Sequence, residues 1–172
     1  MAVDIAHTTE LTDGGKWAPD ALYDIGLQKW KQQQADIEGL DRKAFNLFAV
    51  SSGVLAAGTA VLRLQERVPQ ISLWIAGAGL ALFVITAFFI YRATRIATFA
   101  MGPDPELTIR HADRYSDPEL KHWAGRSFLD SFRTNKPLLD GKATMVKWAQ
   151  VATAVETGLI AIALLTSFIV TP

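Results

Sequence analysis

Three stretches of this chain run for about the width of a bilayer with almost no charge, and they restrict the fold more than any other feature. Lys43 and Arg63 bracket residues 44–62, Arg67 and Arg92 bracket 68–91, and beyond Lys147 only Glu156 is charged through to Pro172. A hydrocarbon core of about 30 Å takes about 20 helical residues, so each stretch is long enough to cross. A soluble core helix of that length keeps a polar face, and these stretches have none. The spacing predicts spans at 44–62, 70–91 and 148–170, with Pro69 capping the outer end of the second. Trp74, Tyr91 and Trp148 stand near the span ends, where amphipathic rings favour the headgroup region.

The basic residues set the expected orientation. Five Lys/Arg precede the first span and ten lie between the second and third, against two in the short loop at 63–67 and none in the C-terminal tail. The positive-inside rule then puts the N-terminus and 92–147 in the cytoplasm and the C-terminus outside. Net charge is zero, which argues against a nucleic-acid partner. With no cysteine there is no disulfide framework and no thiolate nucleophile. Residues 1–18 are polar and lack the apolar core of a cleavable signal, so they are expected to be a flexible N-terminus and insertion is expected to use an internal span.

Between the spans the chain reads as helical. From Pro19 a cytoplasmic helix, 19–43, runs into the first span, and Trp30, Ile37 and Ala44 with Gln33, Leu40 and Leu47 repeat every seven residues. Packing on cytoplasmic neighbours is the favoured account of that stripe, ahead of self-association. In 92–147, "DPEL" occurs at 104–107 and at 117–120, each an Asp-Pro helix start, with a Ser116–Glu119 capping box at the second. The helix after the second copy carries Leu120, Trp123, Ala124, Phe128 and Phe132 on one stripe, for which the 19–43 helix is the expected partner. Residues 1–43 sum to −3 and 92–147 to +3, which favours that pairing. A further helix is expected to start at Pro137 and lead into the third span. The expected fold is all-α: a single domain, 1–172, in which a three-span transmembrane bundle carries a cytoplasmic helical layer.

No catalytic constellation emerges. His7, His111 and His122, with Asp113, Asp117 and Glu119 nearby, lack any metal-ligand helical spacing and are expected to be solvated surface residues, so no metal, cofactor or enzymatic activity is expected. Ala49, Gly53 and Ala57, and Gly77 and Ala81, recur every four residues and suit close helix approach, with packing inside the hairpin preferred to contacts between copies.

The polar residues inside the spans are the candidate site. Glu156 lies about 13 Å beyond Lys147 at the helical rise, level with Ser51 and Ser52 of the first span. A carboxylate at that depth faces the bundle interior or water. Hydrogen bonding to Ser51, Ser52 or Thr86 is the leading account, then a pore lined by one Glu156 per subunit, then a position at the membrane boundary. At the entrance to the first span, Lys43 is expected to snorkel to headgroups and Asp41 to pair with it or with Arg42.

The segments "GLDRKAFNLFAVSSGVLAAG", with Asp41, Lys43 and Ala44 at the head of the first span, and "LLDGKATMVKWAQ", with Lys142 leading into the third, give a layout that resembles small bacterial transmembrane effector domains of anti-phage defence, the Pycsar transmembrane effectors and SLATT-type domains. The resemblance implies a module of the bacterial inner (plasma) membrane that forms homo-oligomers and disrupts that membrane when triggered, with Asp41 and Lys43 as the matched positions. The chain has no recognisable cyclic-nucleotide-binding domain, so a trigger would arrive through a partner or the cytoplasmic helices. The expected function is a non-enzymatic membrane effector or pore-forming module whose partners are membrane lipid and other copies. The alternative is an accessory subunit that anchors a cytoplasmic protein.

Overall fold

The computed structural model describes residues 18–65, 67–95 and 99–170. The N-terminal segment 1–18, save Ala18, and with it His7, lies outside the described residues. Those described form four helices and no strand: α1 (Pro19–Arg63), α2 (Gln70–Thr94), α3 (Pro105–Ala112) and α4 (Asp117–Val170). Stretches of α1, α2 and α4 are long and apolar enough to cross a membrane. Helix α1 starts at Pro19 and carries the 19–43 helix into the first span without a break, and Pro69 stands at the N-cap of α2. The chain divides into two compact units, Met1–Lys31 with Met101–Phe132, and Gln32–Ala100 with Arg133–Pro172.

In the first unit α1 and α4 approach closely because two glycines let them. A Cβ on Gly26 would stand 2.7 Å from the Gly125 carbonyl oxygen, and one on Gly125 would stand 2.8 Å from the Leu22 carbonyl carbon. Phe128 then fills the space beside Tyr23 and Trp30, with ring centroids 6.0 and 5.6 Å away. The apolar stripe of 120–132 does meet the early part of α1. Lys121 Nζ reaches Asp20 Oδ1 at 2.8 Å and Asp117 Oδ2 at 3.1 Å, and the bond to Asp20 foremost raises the ammonium's pKa. These groups are exposed, so screening leaves the pairs weak.

Helix α3 begins as the first DPEL copy predicts, with Asp104 Oδ1 accepting from the Glu106 N–H at 2.8 Å. At the second copy α4 begins at Asp117, which makes Ser116 the flanking residue. Glu119 Oε2 accepts from the Ser116 N–H at 3.0 Å and from its hydroxyl at 2.8 Å. His111 differs from the expected solvated residue: its ring centroid lies 4.5 Å from Trp123 and 5.0 Å from Tyr115.

The second unit contains the three membrane-length segments, and its seams repeat every seven residues. Ala44, Ser51 and Gly58 of α1, Ser72, Gly79, Thr86 and Ala93 of α2, and Ala149, Glu156 and Ala163 of α4 are all buried. Val146, Thr153, Ile160 and Ser167 form a second buried row on α4. A seven-residue repeat is the period of left-handed helix packing, and the small size of most of these residues lets the backbones draw together. Ile160 is the knob for two holes. A Cβ on Gly79 would stand 2.8 Å from its Cδ1, and one on Gly58 would collide with its Cγ2.

Two expectations are corrected here. No helix starts at Pro137, which lies inside α4. Proline removes one intrahelical hydrogen bond and disfavours a straight helix, but packing holds both sides of it. Asn135 is fully buried and bonds Gln33 Oε1 through Nδ2 at 3.2 Å and the Ala100 carbonyl at 2.9 Å, while Val146 and Ala149 join Ala44, Ile90 and Ala93 in the core. The small residues Ala49, Gly53, Ala57, Gly77 and Ala81 do not pack the hairpin. They face outward, and open space lies where a Cβ would stand on Gly53 and Gly77.

The outside of this unit is apolar and its inside is partly polar, the reverse of a water-soluble protein. Phe48, Val50, Leu73, Trp74, Val84, Phe88, Leu165 and Phe168 are exposed, while Ser51, Ser72, Thr86 and Glu156 have no exposed surface. Large side chains on that surface suit lipid as solvent.

Candidate functional site

Glu156 occupies a seam position on α4 with no exposed surface. Its Oε2 accepts a hydrogen bond from Ser51 Oγ, the seam residue of α1 one heptad beyond Ala44. Its Oε1 has no partner among the described residues, nor do the buried hydroxyls of Thr153, one turn earlier on α4, and Thr86 on α2. Ser52 is half-buried and sits one position off the Ser51 face. Of the four candidate residues in the spans, the fold therefore joins Glu156 to Ser51, buries Thr86 in a seam, and leaves Ser52 at the edge. Thr157 bonds back to the Thr153 carbonyl at 2.8 Å within its own helix.

Farther along the same seams further side-chain bonds join the helices. Ser72 and Thr166 hydroxyls lie 2.9 Å apart, and Gln65 Nε2 donates to Ser167 Oγ at 2.8 Å. These bonds tie α4 to the hairpin ends of α1 and α2. The polar side chains thus work as interhelical ties at both ends of these seams, with Glu156–Ser51 nearer the Lys43 end.

At that end the structure corrects the expected pairing of Asp41. Its Oδ1 meets Lys142 Nζ of α4 at 2.7 Å, not Lys43 or Arg42, and Lys142 lies 5.9 Å from the centroid of Phe99. Lys142 keeps only 9% of its side chain exposed, whereas Lys43 is exposed. Opposite net charge on the two segments is the sequence signal that anticipates this pair, though not its partners.

Among the described residues no group of three or more His, Cys, Asp or Glu side chains is disposed to hold a metal ion. The chemistry that the site offers is hydrogen bonding: one carboxylate that ties two helices, with an oxygen and two neighbouring-seam hydroxyls still able to accept or donate.

No family model, curated protein or solved structure matches the chain.

Proposed function

We propose that this chain is a non-enzymatic membrane effector that acts as an assembly of copies and perturbs the bilayer in which it sits, in the manner of the anti-phage effectors that its layout resembles. The observation that carries this reading is the outward face of Ala49, Gly53 and Ala57 on α1, unused by the chain's own packing. Small residues at that spacing are what a second helix in lipid needs for close approach. In this reading Glu156 keeps each bundle in register, and the path that opens on triggering runs between copies.

The test is dye or ion release from liposomes holding purified protein, with oligomer size measured in the same preparation. Gly53→Ile should shift the protein to smaller species and lower release, while Glu156→Gln should conduct as the parent does. Protein that stays monomeric and causes neither release from liposomes nor loss of membrane potential on expression would overturn the reading.

A second reading, an accessory subunit that anchors a cytoplasmic partner, is favoured by the exposed Met101, Leu107 and Ile109 of the first unit. It calls for a neighbour that co-purifies and is lost on Ile109→Glu, with no toxicity from the chain alone.

A further inference from the structure

The second unit holds a cavity of about 310 Å³ beside the Asp41–Lys142 pair. Three cations line it: Arg92 in the last turn of α2, Arg95 at its C-cap, and Lys142 of α4. No acid lines it, and Asp41, the acid bonded to Lys142, is already engaged. Arg92 and Arg95 are exposed, and neither is ion-paired with an acid among the described residues. The remaining wall is apolar, with Phe99, Leu138 and Met145. Met145 also packs on the core cluster of Ala44, Ile90 and Ala93, so the apolar wall is continuous with the bundle interior.

Cations at a span end are expected from topology and from the helix dipole alone. Those causes do not require the cations to converge on a cavity with an oily side. Gly141 also lines this cavity. It lies in mid-helix, where glycine costs about 1 kcal/mol relative to alanine, and it faces the cavity with nothing where a Cβ would stand. A long side chain at this position has room to enter the cavity.

A cationic opening joined to an apolar wall at a span end matches an amphiphile with an anionic head. We propose that this cavity binds the headgroup phosphate of an anionic phospholipid. Arg92 and Arg95 donate to the phosphate oxygens, Lys142, held in place by Asp41, adds its charge, and the first methylenes of an acyl chain lie along Phe99, Leu138 and Met145. Basic pockets between membrane helices are suited to such headgroups. The proposal rests on the membrane-embedded reading of the three long helices and not on the effector reading.

The test uses full-length protein, delipidated in non-ionic detergent and titrated with phosphatidylglycerol, phosphatidylcholine or inorganic phosphate, with bound lipid counted by native mass spectrometry. Phosphatidylglycerol should bind at one copy per chain in preference to phosphatidylcholine, and equimolar inorganic phosphate should not displace it. Arg92→Gln with Arg95→Gln should weaken binding about thirtyfold, at the usual worth of a cation near an anionic surface. Gly141→Leu, which keeps every charge, improves helix propensity and fills the cavity, should also abolish the preference with helical content unchanged. Arg63→Gln with Arg67→Gln, at the opposite span ends, should change nothing. Equal binding of the two lipids, unchanged binding in the Arg92/Arg95 variant, or displacement by inorganic phosphate would each overturn the proposal. Alkaline carbonate extraction separates the two failures: protein released from membranes refutes the membrane reading, whereas protein retained without lipid preference refutes the lipid site alone.

Discussion

Glu156 shows how much of a residue's role depends on what faces it. As a lone carboxylate in an apolar run it is compatible with a pore, a pairing group or a boundary position. In the bundle it is enclosed by its own chain and accepts from Ser51. Glu156→Ala leaves that hydroxyl unpaired and should lower stability in detergent by about 1–2 kcal/mol, as read from thermal unfolding. Glu156→Gln retains an acceptor oxygen and should lose less. For Asp41 and Lys142, a double-mutant cycle of Asp41→Asn and Lys142→Met should return a coupling of about 1 kcal/mol, the upper end for pairs that keep some contact with water. Pairing Asp41 with Lys43 or Arg42 in its place would make the cycle additive. The partner is missed from sequence because nearest charges along a helix are easy to see, and a cation a hundred positions away is not.

At the scale of elements, the seven-residue repeat noticed over Trp30–Leu47 continues down α1 through Ser51 and Gly58 and recurs on α2 and α4. The repeat is present in the sequence, but inside a span its members are Ser, Gly, Thr and Ala, so hydrophobicity does not mark it. The visible small-residue rows at Ala49 and Gly77 are the outward ones, and the buried row is shifted by a position or two. Gly58→Val should destabilise the bundle by about 1–3 kcal/mol through collision with Ile160, and Ile160→Ala should recover part of the loss, measured by unfolding in detergent. The start of α4 responds to pH. The Ser116 hydroxyl and N–H hold the Glu119 carboxyl below its ordinary pKa. Protons therefore bind more readily to the unfolded turn: the cap's stabilisation is present above the ordinary carboxyl range and is lost as pH falls through the lowered value. Hydrogen exchange of the first turn of α4, corrected for intrinsic rates, should speed up on acidification, and Glu119→Gln should remove that dependence.

For the whole molecule, the decisive property is the inverted distribution of polarity in the second unit, large apolar side chains outside and small or polar ones inside. The absence of cysteine makes topology directly measurable with single introduced thiols. On the orientation expected from the basic residues, Asp113→Cys should react with an impermeant maleimide only after the membrane is opened, and Arg67→Cys should react while it is intact. The reverse pattern would invert the orientation drawn from the basic residues.

The sequence by itself determined that the chain is helical, where its three membrane-length segments lie and where α1, α2 and α3 begin. Those features follow from local terms: charge-free length, proline and Asp-Pro positions, and short-range capping. Tertiary structure alone decided that α4 runs through Pro137, that Gly58 and Gly79 receive Ile160, that Asp41 meets Lys142, and that Glu156 faces Ser51. Each of these depends on the register between helices distant in sequence. That register is set by the combined packing of many small side chains, which no single stretch of sequence contains.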